Sequence, residues 1–213
     1  EGWSKEQCEI EGISTRMESG GDFTKLGYAL LDLDGDGREE LLIAEESTDR
    51  TDNIWDLYTT LEDGTPIQLW VDERDGYQGY LYEGNVIGIE YSGKTQREYL
   101  YQTLENGQLT LKECLMYSDE NWVYTTDGDQ LTMISPKEAT DITYGYEHKK
   151  LNLTWLADMP DGLRDTEAVE WYTPVLEKYR TALAEGWDRT MCRDNNMSMR
   201  TPIENADESL YYA

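Results

Sequence analysis

The sequence predicts an α+β domain, an antiparallel β-meander sheet with a few covering helices and a strand-loop-strand acidic loop near its start. Three observations predict it. From Ile54 to about Ile134, short alternating runs are punctuated by Asp-Gly, Gly-Asn and Asn-Gly pairs, the pattern of successive hairpins. Tyr and Trp number 16 and 7 against a single Phe, Phe23, a balance that suits sheets with one wet face. Helical spacing is confined to a few short segments near the two ends and after the meander. With 213 residues the chain holds one domain with a real core, or two small ones.

The elements follow in order. Ser4 with Gln7 is a capping box and predicts a helix over Lys5–Glu11. Gly20-Gly21 is a loop. Tyr28–Leu33 and Leu41–Ala44 are compact apolar runs and read as two buried strands. Trp55, Leu57, Thr59 and Leu61 then alternate with polar or outward residues, Asp63-Gly64 turns the chain, and Ile67–Val71 returns. Tyr80–Tyr82 pairs with Val86–Tyr91 around Glu83-Gly84-Asn85. Tyr99–Leu104 pairs with Leu109–Leu115 around Asn106-Gly107, with Leu109, Leu111 and Leu115 on one face and Thr110, Lys112 and Cys114 on the other. Trp122–Thr125 pairs with Leu131–Ile134 around Asp127-Gly128.

Ser135-Pro136-Lys137-Glu138 is a second capping box with Pro at the first helical position, and predicts a helix to about His148. Leu151–Leu156 reads as a strand and Met159-Pro160-Asp161-Gly162 as a loop. A longer helix begins near Thr173-Pro174. Its stripe of Val175, Leu176, Tyr179, Ala182 and Leu183 falls on one face, and Gly186 ends it. Asp188–Asn195 is read as a short helix matching the first.

The two ends of the chain resemble each other at a constant offset. Glu1-Gly2-Trp3 recurs as Glu185-Gly186-Trp187, Cys8 as Cys192, Ser14 as Ser198, Arg16 as Arg200. Nine of 29 aligned positions are identical, rare Trp and Cys among them. The inference is a repeat unit over 1–184 and the start of a second, incomplete unit over 185–213, packed against the first. Cys8 and Cys192 occupy equivalent places, so they are not expected to be bonded to each other. The three cysteines, Cys8, Cys114 and Cys192, make no CxxC pair and no zinc pattern, and are read as small buried residues.

The formal charge is −27. That field repels nucleic acid and anionic membrane surfaces, and leaves cations, basic partners and neutral glycans as partners. No stretch approaches the ~20 apolar residues of a membrane span, so no direct membrane insertion is expected. Glu1 is not an initiator residue, and an export segment is expected to have preceded it.

The stretch that carries chemistry is Asp32-Leu33-Asp34-Gly35-Asp36-Gly37-Arg38-Glu39-Glu40. Oxygens at loop positions one, three, five, seven and nine, with glycine at six for the sharp turn, build a flexible cage for a hard cation. The ligand set is the side chains of Asp32, Asp34, Asp36 and Glu40 with the main-chain carbonyl of Arg38. Carboxylates ~5 Å apart repel by about 3 kcal/mol per pair at an effective dielectric of 20, a cost that a bound cation removes. Oxygen donors favour calcium over zinc or copper, and magnesium demands a tighter octahedron. Ile43 stands at position twelve, where an EF-hand has a bidentate Glu. That makes Glu40 the anchor and implies a structural site of millimolar-range affinity.

The loop resembles the calcium loops of integrin-type FG-GAP repeats and, less closely, those of dockerins. The string from Gly27 to Ile43 is similar to uncharacterised secreted or lipid-anchored proteins of anaerobic gut bacteria, in which Tyr-rich hairpins follow. The resemblance implies an exported, cell-surface or lipoprotein calcium-containing domain, and supplies no catalytic residues. The blade repeats of a full propeller are not present, so the propeller is not carried over.

No catalytic pattern stands out. His148, the single histidine, reads as a helix-terminal cation against the dipole. There is no GxSxG elbow, HExxH or phosphate-binding glycine loop. Asp127-Gly128-Asp129 and the group Asp158, Asp161 and Asp165 read as turns and helix starts rather than second cation sites. Trp55, Trp70, Tyr80, Tyr82, Tyr99, Tyr101, Trp122 and Tyr124 all fall on strands. Half or more are expected in the core, and the exposed remainder would bind a glycan or a protein. The expectation is therefore a non-enzymatic, extracellular or cell-surface binding module rigidified by calcium. The alternative is a carbohydrate-active or peptidase accessory domain using acidic residues.

Overall fold

The computed structural model describes residues 5–17, 23–48, 51–61, 63–72, 76–158 and 170–186. Ser4, Gly20-Gly21, Met159-Pro160-Asp161-Gly162, Asp165, the matching helix over Asp188–Asn195, Cys192 and the second repeat unit beyond Gly186 lie outside the described residues.

The fold is mostly antiparallel sheet with three short helices. The strands are β1 (Leu26–Leu31), β2 (Glu40–Glu46), β3 (Asp52–Thr60), β4 (Pro66–Val71), β5 (Tyr77–Tyr82), β6 (Val86–Ser92), β7 (Arg97–Glu105), β8 (Gln108–Ser118), β9 (Asn121–Thr125), β10 (Thr132–Ile134) and β11 (Thr154–Trp155). The helices are α1 (Lys5–Glu11), α2 (Pro136–Thr143) and α3 (Thr173–Gly186). One open sheet runs β10-β9-β8-β7-β6-β5-β3-β2-β1-β11. It forks at β3: Asp56–Thr60 pair with β4, while Ile54 pairs with Gly79 of β5. No helix among the described residues is long and apolar enough to cross a membrane.

Cross-strand partners share a face, so the register assigns the core. One face carries Ala29, Leu42, Ala44, Ile54, Leu57, Leu81, Ile87 and Leu104, a continuous core from β1 to β7. The other face carries two separate cores. Leu26, Leu41, Ile43, Trp55 and Tyr58 lie beneath the N-terminal segment and the predicted stripe of α3. Each fully buried Leu or Val of that stripe contributes about 1.5–3 kcal/mol. Tyr82, Val86, Tyr101 and Leu115 lie beneath Ala139 and Ile142 of α2 and the ring of Tyr146. Between the two covers, Tyr80, Glu90 and Tyr99 remain half-buried.

The first of these cores encloses a carboxyl. Asp56 is fully buried, and its Oδ2 accepts hydrogen bonds from the Ser14 amide at 3.1 Å, the Tyr58 hydroxyl at 3.2 Å and the Tyr179 hydroxyl. Its Oδ1 accepts from Gln68 Nε2 at 3.2 Å. Burial pushes the carboxyl well above the usual carboxylate range despite these donors. One residue thus fastens the N-terminal segment, β3, β4 and α3 together.

Four expectations are corrected. Trp55 and Leu57 lie on opposite faces, because Ile43 pairs with Asp56 while Ala44 pairs with Ile54 and Trp55 is the extra residue of a bulge. A second bulge at Lys112 does the same in β8. Tyr101 pairs with Glu113 and Gln102 with Leu111, so Leu109 and Leu111 face one way and Leu115 the other. The third concerns α2, which begins at the predicted capping box, with Ser135 Oγ accepting from the Glu138 amide and Glu138 Oε2 from the Ser135 amide. It stops at Thr143, not near His148. Beyond Gly79 the edge of β5 has main-chain groups at Leu81 and Glu83 that need partners. Residues 146–149 supply them: the Glu83 amide donates to Glu147 and the Lys149 amide to Leu81, both at 2.8 Å. His148 therefore sits on an extended strap, stacked 4.5 Å from Tyr82, and burial lowers its pKa below the ordinary value. Fourth, the expected strand over Leu151–Leu156 shortens to β11, followed by a 3-10 turn at Leu156–Asp158.

Candidate metal centre

The acidic loop joins β1 to β2 as a hairpin closed by the pair Leu31 and Glu40. Its course depends on two left-handed glycines, Gly35 at φ 77° and Gly37 at φ 90°. These bends aim main-chain amides inward. Asp32 Oδ1 accepts from Gly35 at 2.7 Å and Oδ2 from Gly37 at 3.0 Å, while Asp34 Oδ1 accepts from the Asp36 amide at 3.2 Å. Each carboxylate is thereby held in one rotamer by the backbone of its own loop.

Glu40 forms the floor. It is 2 % exposed, and both its oxygens are held: Oε2 accepts from the Leu33 amide at 2.9 Å and Oε1 from the Thr59 hydroxyl at 3.0 Å. Burial raises its pKa most, the negative charges of Asp34 and Asp36 raise it further, and the two hydrogen bonds oppose the rise.

Asp32, Asp34 and Glu40 each place one carboxylate oxygen within 4.8 Å of the others. They form the one such acidic, histidine or cysteine grouping among the described residues. Oxygens bound to calcium at about 2.3–2.6 Å can lie no more than about 5 Å apart, so this spread fits on one coordination sphere. Every oxygen keeps a lone pair beyond its hydrogen bond, and the donors are all hard. The three residues could hold a metal ion.

Asp36 is placed differently. It accepts from the Arg38 amide at 2.7 Å and from Arg38 Nε at 2.8 Å, with a second guanidinium contact through Nη2. The guanidinium holds the Asp36 carboxyl below its ordinary pKa. Arg38 Nη1 also donates to the Thr60 carbonyl at 3.1 Å. Of the five expected ligand residues the fold thus gathers the carboxylates of Asp32, Asp34 and Glu40, and turns Asp36 to the Arg38 side chain.

Sequence reasoning missed the support of the loop. Asn85, at φ 57° in the β5–β6 turn, donates from Nδ2 to the Leu33 carbonyl at 3.1 Å and accepts at Oδ1 from Lys149 Nζ at 2.9 Å. The Glu83-Gly84-Asn85 turn was legible, but nothing local says where its side chain reaches. Nothing in the sequence around Thr59 marks it as more than a strand position.

The aromatic positions divide. Trp55, Tyr82 and Tyr101 are buried, and Trp70, Tyr80, Tyr99, Trp122 and Tyr124 are half-buried. Asp127 behaves as a turn residue: its Oδ1 accepts from the Asp129 and Gln130 amides at 3.0 and 2.9 Å. Cys8 is buried and Cys114 half-buried. Comparison with family models, curated proteins and solved structures returns no match to this chain.

Proposed function

We propose that this protein is an extracellular, calcium-stabilised interaction module of a bacterial cell-surface or secreted protein, with no catalytic role of its own. The observation that carries the reading is the convergence of Asp32, Asp34 and Glu40 on one point of a glycine-bent hairpin. Three carboxylates held that close are mutually repulsive, and a divalent ion reverses the sign of the local energy. The weak affinity implied by a position-twelve Ile43 suits the calcium concentration outside cells. Binding is assigned to the aromatic side of the meander, where half-buried Tyr and Trp rings offer apolar area with polar tips.

Thermal melting with calcium and with chelator tests this. At tenfold calcium over Kd, linkage adds about 1.4 kcal/mol, a shift of a few degrees for a domain of this size. Identical melting in the two conditions overturns the reading.

A further inference from the structure

We propose that the stretch of sheet around Glu90, between the two helical covers, seats an arginine side chain of a basic partner segment. The inference rests on the proposed interaction-module reading and names the partner's chemistry.

Glu90 lies on β6 facing the same way as the two separate cores, in the gap between them. Its direct cross-strand neighbours are Gln78 on β5 and Tyr99 on β7. Tyr80 and Tyr101 flank the next position, Gly88, where the missing side chain lets the Tyr82 and Tyr101 rings lean in. The Tyr82 hydroxyl donates to Glu90 Oε1, and Tyr101 also hydrogen-bonds the carboxylate. The charge is therefore ringed by phenols and remains half-open to solvent.

No basic side chain among the described residues lies within ion-pair distance of Glu90. Arg16, whose charge reaches Tyr80, is engaged by Asp72, and Arg97, whose charge reaches Tyr99, makes no ion pair with Glu90. Burial raises the Glu90 pKa, the cost of holding a carboxylate here without a cation. The same side of the sheet already holds cations on ring faces, with Lys112 Nζ 5.1 Å from the Tyr146 centroid and Arg16 Cζ 5.9 Å from the Trp55 centroid.

The chemistry selects guanidinium. The site is a stretch of sheet whose Tyr80, Glu90 and Tyr99 are each partly exposed. A planar guanidinium stacks on a tyrosine face and donates to a carboxylate edge at once, whereas an ammonium is more strongly hydrated and less matched to a flat ring. Two phenol donors leave Glu90 with acceptor capacity for such a fork. The net charge of −27 steers a basic segment toward this surface.

The experiment titrates a short capped Gly/Arg peptide, and its Gly/Lys counterpart, into the whole chain in millimolar calcium at physiological salt. The Arg peptide is expected to bind about tenfold tighter than the Lys peptide. Glu90→Gln, which keeps the shape and an acceptor for Tyr82, lowers Arg-peptide affinity about tenfold. Tyr99→Leu, which removes the ring that lies between Glu90 and its stacking partner Trp122 and keeps apolar bulk, lowers it several-fold. Glu105→Gln, at the exposed end of β7, leaves it unchanged. Equal binding of the two peptides, or equal losses in Glu90→Gln and Glu105→Gln, shows only the general field and overturns the proposal. So does binding of neutral oligosaccharides at this face that Glu90→Gln leaves intact. A calcium-dependent melting shift that persists while peptide binding fails overturns this inference alone. Loss of the melting shift overturns the module reading instead.

Discussion

The side-chain amide of Asn85 donates to the main-chain carbonyl of Leu33 at 3.1 Å, across 52 residues of sequence. Leu33 is also the residue whose amide orients Glu40. One peptide unit on either side of Leu33 thus joins the floor of the acidic loop to the tip of the β5–β6 hairpin. Lys149, on the strap beside His148, holds the other end of the same amide. The loop and the aromatic side of the sheet are connected through a single side chain.

Asn85→Gly tests that connection cleanly, because the position has φ 57°, which glycine adopts without strain. The variant loses the amide alone. Chemical denaturation should show a loss of about 1–2 kcal/mol, with calcium stabilisation displaced to higher calcium. Unchanged stability and calcium response would remove Asn85 from the site.

The two central aspartates should differ. Asp34 belongs to the clustered oxygens and Asp36 is held by Arg38. Asp34→Asn is expected to abolish the calcium shift in thermal melting, while Asp36→Asn retains most of it. The reverse order would reassign the ligand set.

Asp56 carries a pH signature. Its folded-state pKa is raised, so the folded chain holds this proton where the unfolded chain releases it. Stability from this group is complete below the unfolded value of about 3.9 and declines as pH rises toward the folded one. Asp56→Asn removes the decline. The stability gap between wild type and Asp56→Asn, about 1–3 kcal/mol near pH 4 from mismatched donors, should narrow as pH rises. A pH-independent gap in urea titrations would contradict the raised pKa.

Gly88→Ala should be costly. A Cβ at Gly88 falls inside van der Waals contact with the Tyr82 ring and close to Tyr101. Tyr82 is 2 % exposed and packed against His148 on one side and Tyr101 and Tyr146 on others, so it has nowhere to move. A loss of about 1–3 kcal/mol in urea denaturation, with altered near-ultraviolet circular dichroism, is expected. A neutral substitution would mean the aromatic cluster packs more loosely than described.

Much of the fold was readable because its signals are local. The Asn106-Gly107 and Glu83-Gly84-Asn85 turns, the Ser135 capping box and the stripe of α3 each depend on residues a few places apart. The end of α2 carries a local signal, Gly145 directly after the C-cap Tyr144, but the extended course of residues 146–149 does not: it answers the unpaired edge of β5, formed some sixty residues earlier. Glu90 has a faint signal, the one charge in the Val86–Tyr91 run, but alternation alone gives no reason to single it out.

The amino-acid order by itself determined the antiparallel meander, its turns and the spacing of acids around two glycines, since period, turn chemistry and left-handed φ act over a few residues. Tertiary structure alone decided which face each side chain reaches past the bulges at Trp55 and Lys112, that Asp36 turns to Arg38, and that Asn85 braces Leu33. The facings and the Asn85 brace are competitions between partners distant in sequence, the local Asp36–Arg38 contact is joined by the Thr60 carbonyl that Arg38 also reaches 22 residues away, and a bulge of one residue inverts every facing beyond it.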